Sequence, residues 1–235
     1  KMPIEEALKT GKIVEGTICY TGDMLSPEET KYTLDYYIKK AKELEALGCH
    51  IFAIKDMAGL LKPYAAKELV KALKAELKIP VHLHTHDTTG AGVSTVLMAA
   101  EAGLDIADLA IESMSSLTSQ PSMNTVVAAL QGTKRDTGLN LDELSELTRY
   151  YERVRKLYKI FESGMDSPNS EIYKYEIRGG QYSNLMAQVT EMGAKDSFED
   201  IKRLYKEHGK TLNFLGVIMS NLNVALEQKE RSALF

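Results

Sequence analysis

Short apolar runs alternate with amphipathic segments through the first 130 residues of the chain. The four runs are rich in β-branched residues and lie at 14–20, 50–55, 81–86 and 106–111. Their starts are 25 to 36 residues apart, a spacing that suits βα units of about 30 residues. Strands connected through helices are parallel. The pattern therefore predicts four parallel strands, each followed by a helix.

Capping and turn residues indicate where the intervening helices begin and end. Ser26-Pro27-Glu28-Glu29 has the order of an N-cap, a first-turn proline and two acids, which predicts a helix from Ser26 to about Leu47. Gly48 would follow its last turn, and Pro63 would open the next helix. One face of that next helix would carry Ala65, Leu69, Leu73 and Leu77. A third helix is predicted from Gly92 to Ala102.

The alternation of strands and helices ends at a polar stretch at 133–138. A segment of about twenty residues from Leu139 has no helix breaker and a helical apolar spacing, and the tail to residue 235 has the pattern of further helix. We therefore expect two domains, 1–137 and 138–235. The predicted fold class is α/β, with half of a TIM-type barrel followed by an all-helical extension. An open four-stranded α/β sheet is the alternative.

The composition of the chain argues against several classes of protein. The chain has 29 Lys and Arg against 33 Asp and Glu, a net charge of −4, which argues against a nucleic-acid partner. Apolar runs stay well short of the roughly 20 residues that cross a bilayer, so we expect no membrane association. Cys19 and Cys49 do not form a disulfide framework. We therefore expect a reducing compartment, the cytoplasm, or the mitochondrial matrix in a eukaryote.

The third predicted strand ends in the most informative local motif, His82-Leu83-His84-Thr85-His86-Asp87. Alternate residues of a strand share one face, so the three imidazoles point the same way. His84 and His86 at the carboxyl end could bind one divalent ion. His82 lies one pleat deeper and is assigned a structural role. Hydrogen-bonded core histidines with no metal are the alternative for all three.

A lysine and a threonine lie at the same predicted edge. Lys55 ends an otherwise apolar strand, where its amine could form a Schiff base, bind a carboxylate or, once carbamylated, bind a metal. Pairing with Asp56 is the alternative. Thr21 follows the end of the first strand.

Adjacent glycines interrupt the helical part of the chain at Gly179-Gly180-Gln181-Tyr182-Ser183-Asn184. Glycine allows the backbone to approach a ligand closely, which makes Gly180, Gln181 and Ser183 candidate site residues. A helical linker capped by Ser183 or Asn184 is the alternative.

Taken in order, these segments resemble the carboxyltransferase domains of pyruvate carboxylases, from about residue 13 to about residue 205. The matching blocks are Tyr20–Asp23, Ile54–Pro63, His82–Thr88, Thr118–Ser122, Phe161–Met165 and Gly179–Leu185. The resemblance departs at Ile177-Arg178, where the family commonly has Met-Pro, and in the tail at 206–235.

The resemblance implies site roles for the candidate residues. Lys55 would be the carbamylated ligand of a divalent metal (Zn or Mn), with His84 and His86 as its imidazole ligands. Ser183 falls where the family has a Thr or Ser that moves a proton between biotin and pyruvate. We therefore assign Lys55 and Ser183 to catalysis. Thr21, Gly180 and Gln181 are assigned to substrate binding.

The implied activity is biotin-dependent carboxyl transfer to pyruvate, giving oxaloacetate. The resemblance covers only strands five to eight of an eight-stranded barrel and the helical extension. The expected partners are therefore a biotinyl carrier domain and either the missing barrel half or a second copy in a homo-oligomer, and we expect the chain alone to be poorly active. The alternatives are an oxaloacetate decarboxylase or transcarboxylase subunit, a metal-dependent aldolase-like enzyme, and an inactive half-barrel that acts as an association unit.

Overall fold

The structure is a computed structural model that describes residues 2–162, 165–175, 189, 198 and 200–202. The chain divides into two compact units, 1–184 and 185–235. In the second unit the five described residues are helical, and the ammonium of Lys202 lies 5.5 Å from the ring centre of Phe198. All other elements described below belong to the first unit.

Four parallel strands form one sheet in the order in which they occur in the chain. The strands are β1 (Glu15–Cys19), β2 (Ile51–Asp56), β3 (Val81–Thr85) and β4 (Ile106–Ala107), and each is paired with the next. This sequential parallel order is that of successive strands in a β/α barrel. The prediction of four parallel βα units is therefore confirmed.

Helices follow each strand and continue beyond the sheet. They are α1 (Met2–Leu8), α2 (Leu34–Ala46), α3 (Pro63–Glu76), α4 (Gly92–Glu101), α5 (Met123–Leu130), α6 (Leu141–Tyr158) and α7 (Ile172–Tyr175), with 3₁₀ turns at Glu112–Met114 and Lys159–Phe161. Among the described residues, no helix has both the length and the apolar character that a membrane crossing requires.

The main core lies between the sheet and α3. The predicted apolar face of α3 is fully buried at Ala65, Leu69 and Leu73. The strand residues Phe52 and Leu83 are buried on the helix-facing side of the sheet. Residues at the alternate positions of β3 are half-buried, so one face of the sheet holds the apolar core and the other carries the polar side chains.

Two predicted boundaries are wrong, and local hydrogen bonds explain both. Ser26 to Glu29 forms a turn, and the Glu29 carboxylate accepts from two following backbone N–H groups, so α2 begins only after its N-cap, Thr33. The fourth strand ends at Ala107 and not at residue 111. Beyond it the backbone at Ala110 pairs with the segment around Ser122 instead of continuing along β3.

The long helix predicted from Leu139 is present as α6. Its N-cap is Asn140, whose side chain accepts from two backbone N–H groups. The helix packs on α5, where Asn124 Nδ2 donates to Thr148 Oγ1 at 3.1 Å in a buried contact. The proposed domain boundary at 137/138 stays a prediction, as does the helical content of the tail outside the described residues.

The loop that follows β2 is organised by a buried carboxylate. Asp56 is fully buried and accepts hydrogen bonds at 2.9 Å from the backbone of Leu60, the backbone of Leu61 and the hydroxyl of Thr85. These contacts fix the β2–α3 loop against the end of β3. They also place Asp56 on the helix-facing side of the sheet, which corrects the alternative that pairs it with Lys55.

Replacing this carboxylate should strongly destabilise the fold. Asp56→Ala removes the acceptor of three buried N–H groups, those of Leu60 and Leu61 at 2.9 Å and that of Ala58 at 3.4 Å. An unsatisfied buried N–H costs about 1–3 kcal/mol, so we expect a loss of roughly 3–5 kcal/mol in the free energy of unfolding. Urea unfolding followed by circular dichroism measures it. The exposed Glu28 provides the control, since Glu28→Ala should stay within about 0.5 kcal/mol. A loss below about 1 kcal/mol for Asp56→Ala would contradict this account of the loop.

Candidate metal centre and active site

The candidate residues on β2 and β3 meet at the carboxyl end of the sheet. Lys55 of β2 is in register with His84 of β3. Parallel neighbours in register carry their side chains on the same face about 4.8 Å apart. Both residues are half-buried on the polar face of the sheet. The structure thus brings Lys55 beside His84, as the strand pattern predicts.

The Nε2 atoms of the His84 and His86 rings face each other. Their Nε2 atoms are 3.2 Å apart, and the ring centres are 5.2 Å apart. The opposite nitrogen of each ring is fixed: His84 Nδ1 lies 2.8 Å from Asp108 Oδ2, and His86 Nδ1 lies 2.6 Å from the carbonyl oxygen of Thr118. Because a carbonyl and a carboxylate can only accept, both Nδ1 atoms must be the donors.

This arrangement determines where the lone pairs of the two rings point. In a neutral imidazole that carries its proton on Nδ1, Nε2 is an acceptor. Two acceptors 3.2 Å apart repel each other unless a proton or a metal ion lies between them. Ligand bonds of about 2.0–2.1 Å and this separation correspond to an angle of roughly 100° at the ion, close to tetrahedral. The histidine pair therefore fits two neighbouring ligands of one divalent ion.

In the part of the chain that the structure describes, no complete set of metal ligands of the usual kinds surrounds the pair. Within the described residues, no group of three or more His, Cys, Asp or Glu side chains is arranged to hold a metal ion. Lys55, beside His84, is the candidate for the next position. The residues present therefore fit a metal when Lys55 supplies an anionic oxygen, as a carbamate does.

A strained loop holds the acceptor of His86. Ser116 and Leu117 have φ values of 71° and 54°, a left-handed conformation that costs non-glycine residues of order 1 kcal/mol or more. The next carbonyl, that of Thr118, accepts from His86, and the carbonyl of Ser119 accepts from Asp87 N at 2.8 Å. The strain is thus located in the loop that orients a candidate ligand.

His82 is deeper on the same face and has two carboxylate neighbours. Its Nδ1 lies 2.7 Å from Glu15 Oε2, and its Nε2 lies 3.0 Å from Asp108 Oδ1. Burial alone would lower the pKa of His82, but the two carboxylates raise it above the usual value. Burial would likewise raise the pKa of Asp108, but the bonds and charges of His84 and His82 hold it below the usual range.

Thr21 lies just beyond β1 and is held by its neighbours. Its backbone N–H donates to Tyr37 Oη at 3.0 Å, and its hydroxyl donates to the carbonyl of Cys19. Tyr37 stacks on Tyr20 with ring centres 5.2 Å apart. Burial raises the pKa of Tyr37 to about 12, so the phenol is neutral. The other predicted substrate-binding residues, Gly180 and Gln181, and the predicted proton carrier Ser183 lie outside the described residues.

Asp108 contacts two of the three histidines and was not among the residues predicted from the sequence. Asp108 N donates to the carbonyl of Leu83, which brings its side chain beside β3. The alternation Ile106-Ala107-Asp108 contains the signal, because Ile106 is in register with His82 and an acid two residues later shares its face. No such pattern could have revealed the carbonyl of Thr118, whose direction depends on the loop backbone.

Comparison with known proteins identifies the family of the chain. The model of the HMGL-like family matches residues 16–150, and the model of glycine/sarcosine/betaine reductase component B subunits matches residues 196–235. Pyruvate carboxylase of Bacillus subtilis (strain 168) is 52% identical over 205 residues, covering 87% of this chain and 18% of that protein. The human mitochondrial pyruvate carboxylase is 46% identical over 215 residues, 90% of this chain and 18% of that protein.

Solved structures of a pyruvate carboxylase domain are also similar to this chain. The carboxyl transferase domain from Rhizobium etli pyruvate carboxylase has a TM-score of 0.86 and 43% identity, covering 88% of this chain and 35% of that one. Structures of the same domain with pyruvate, and with pyruvate and biocytin, have TM-scores of 0.85. The chain spans 18% of the length of the curated relatives. The resemblance to pyruvate carboxylase carboxyltransferase domains is confirmed, and since the family model covers more than half of the sequence, the chain belongs to the HMGL-like family.

Proposed function

We propose that this chain supplies the metal-binding half of a carboxyltransferase barrel, which moves a carboxyl group from biotin to pyruvate to form oxaloacetate. The observation that carries the proposal is the pair of Nε2 atoms 3.2 Å apart on His84 and His86, with Lys55 in register beside them. The similar Rhizobium etli domain with pyruvate and biocytin supports the choice of substrate and carboxyl donor. The enzyme class is a ligase that forms a carbon–carbon bond.

The metal ligands in this proposal are carbamylated Lys55, His84 and His86, and the ion is Zn or Mn. When bound, the ion acts as a Lewis acid that stabilises negative charge on a substrate oxygen. A carbamate offers an oxygen ligand where a lysine ammonium could not bind a cation. Asp108 and the Thr118 carbonyl keep the two rings in the tautomer that ligation needs.

Proton transfer is assigned to Ser183. Its hydroxyl gives a proton to the biotin ring when the carboxyl group leaves as CO2, and it takes a proton back from the methyl group of pyruvate. The pyruvate carbanion, stabilised as an enolate, then attacks CO2 and closes the new carbon–carbon bond. Thr21, Gly180 and Gln181 are assigned to substrate binding, in a site that must exclude water so that CO2 is not lost.

Partners follow from the edges of the sheet. In the described part of the chain β1 and β4 each pair on one side only, and unpaired strand edges favour association. The remaining strands of a barrel, or a second copy in a homo-oligomer, would pair with these edges. A biotinyl carrier domain would bind at the carboxyl end of the sheet, where the candidate residues lie. The compartment proposed is the cytoplasm, or the mitochondrial matrix in a eukaryotic source, as in the name of the human relative.

Metal content is the first test of this proposal. The purified chain, dialysed with Zn²⁺ or Mn²⁺, should hold about one ion, and His84→Ala or His86→Ala should lose it, because each variant removes one of two chelating nitrogens. Elemental analysis by mass spectrometry measures the ion. His50, whose Nδ1 accepts from Val14 N, provides the control, and His50→Ala should retain the metal.

The same samples test the carbamate. Native mass spectrometry should show the added mass of one CO2, which Lys55→Arg lacks because a guanidinium does not form a stable carbamate. Full metal content in His84→Ala would contradict the proposed ligand set, and an unchanged mass in a metal-loaded sample would remove the carbamate from it.

The role of Ser183 has its own test. In a polypeptide that also contains the remaining barrel strands and the carrier, Ser183→Ala should slow oxaloacetate formation by about 100-fold or more, the usual contribution of a proton-transfer group. Its metal content should not change, and Ser183→Thr should retain activity because the hydroxyl remains. A near-normal rate for Ser183→Ala would exclude this residue from proton transfer.

Self-association should be visible in the isolated chain. Light scattering should show dimers or larger species, because the edges of β1 and β4 have to be covered. Ile106→Lys places a charge on the β4 edge, where Ile106 is exposed, and should shift the chain towards the monomer. Tyr64→Lys, at an exposed position on α3, should not. A chain that stays monomeric at all concentrations would contradict this part of the proposal.

A further inference from the structure

A continuous line of side-chain contacts crosses the polar face of the sheet. Glu15 Oε2 is 2.7 Å from His82 Nδ1, His82 Nε2 is 3.0 Å from Asp108 Oδ1, and Asp108 Oδ2 is 2.8 Å from His84 Nδ1. The four residues come from β1, β3 and the end of β4. In the sheet β1 is separated from β3 by β2, so this line connects strands that the backbone does not pair directly.

Each contact in the line fixes the orientation of the next group. Asp108 uses one carboxylate oxygen for His84 and the other for His82, so its plane is defined by two imidazoles. His82 is in turn held between two carboxylates, and its side chain is only 13% exposed. Its Nδ1 makes a well-directed contact with Glu15, whereas its Nε2 faces Asp108 at ion-pair distance without hydrogen-bond geometry, so a flip of the ring breaks the Glu15 contact. The orientation of Asp108 therefore depends on His82, and that of His82 on Glu15.

The end of the line is the ring that faces the metal position. Without an acceptor at Nδ1, the His84 ring would populate the tautomer with the proton on Nε2 or would turn about χ2, and either change removes the lone pair that faces His86. A carboxylate in this position selects the ligating tautomer and raises the basicity of the ligand.

We infer that Asp108, His82 and Glu15 are positioning residues that hold the Nε2 of His84 in its metal-ligating orientation. The inference rests on the proposed function, because it requires that His84 bind a metal. It gives His82 a role in metal binding, beyond the purely structural one indicated by its depth on the strand. It also predicts a graded dependence, strongest at Asp108 and weakest at Glu15.

Zn²⁺ affinity, measured by competition with a chromophoric chelator, tests the graded dependence. Asp108→Asn removes the negative charge and one of the two acceptor oxygens, so the variant should bind Zn²⁺ about 10- to 100-fold more weakly, the usual effect of altering an outer-shell partner of a ligand. His82→Gln should lose less, and Glu15→Gln should lose least. Asp108→Glu keeps a carboxylate and should recover part of the loss. Glu15 is exposed, so Glu15→Gln tests the line even if a deeper variant folds poorly.

Asp105 provides a matched control at the other end of the same strand. Its carboxylate accepts from Lys74 Nζ at 2.7 Å and from Val81 N at 2.8 Å, so Asp105→Asn removes an ion pair between elements without touching the line. Asp105→Asn should lower the melting temperature and leave Zn²⁺ affinity within about twofold. The visible spectrum of the Co²⁺-loaded chain adds a second readout, because it reports ligand geometry and should change in Asp108→Asn but not in Asp105→Asn.

The outcomes separate this inference from the function on which it rests. If the unaltered chain binds neither Zn²⁺ nor Co²⁺, the proposed function fails and the inference fails with it. If the unaltered chain binds metal and Asp108→Asn keeps its affinity within about twofold and its Co²⁺ spectrum, the inference alone is overturned. A loss of affinity in Asp105→Asn as large as that in Asp108→Asn would also overturn it, because general destabilisation would then explain both.

Discussion

The site depends on the parallel register of β2 and β3, which sets Lys55 opposite His84. A slip of one residue would move every side chain of a strand to the opposite face, taking the histidines into the core and apolar residues into the site. The buried carboxylate of Asp56 secures this register at the end of β2, because it binds the hydroxyl of Thr85 on β3 as well as the loop backbone. The core face and the polar face of the sheet are thus specified by the same pairing.

The chemistry follows from hydrogen-bond acceptors placed behind the two rings. A carboxylate and a carbonyl receive the Nδ1 protons of His84 and His86, and both Nε2 lone pairs are left facing one point. The two acceptors are held in different ways. Asp108 is fixed by contacts with the side chains of His82 and His84, whereas the Thr118 carbonyl is fixed by a strained backbone. Both devices lie outside the strand that carries the histidines, so the local sequence of β3 does not define the metal position by itself.

Sequence patterns predicted what depends on periodicity. Four β-branched runs gave the strands, and alternation along β3 placed His84 and His86 on one face. The patterns failed in two places. At the start of α2 a side chain binds backbone N–H groups in a turn, and at the end of β4 the backbone stops pairing with β3 and pairs with another segment. Asp108 was missed because its role appears only once the register of two strands is known. The orientation of the Thr118 carbonyl depends on a left-handed loop conformation that residue types do not indicate.

The central claim is that one ion lies between the Nε2 atoms of His84 and His86. X-ray absorption at the zinc edge of the Zn²⁺-loaded chain tests it most directly, because imidazole ligands give a recognisable outer-shell scattering pattern. We expect two imidazole nitrogens at about 2.0–2.1 Å from the zinc, with oxygen in the remaining positions and no sulfur. Sulfur ligands at about 2.3 Å, or a first shell without imidazole scattering, would contradict it.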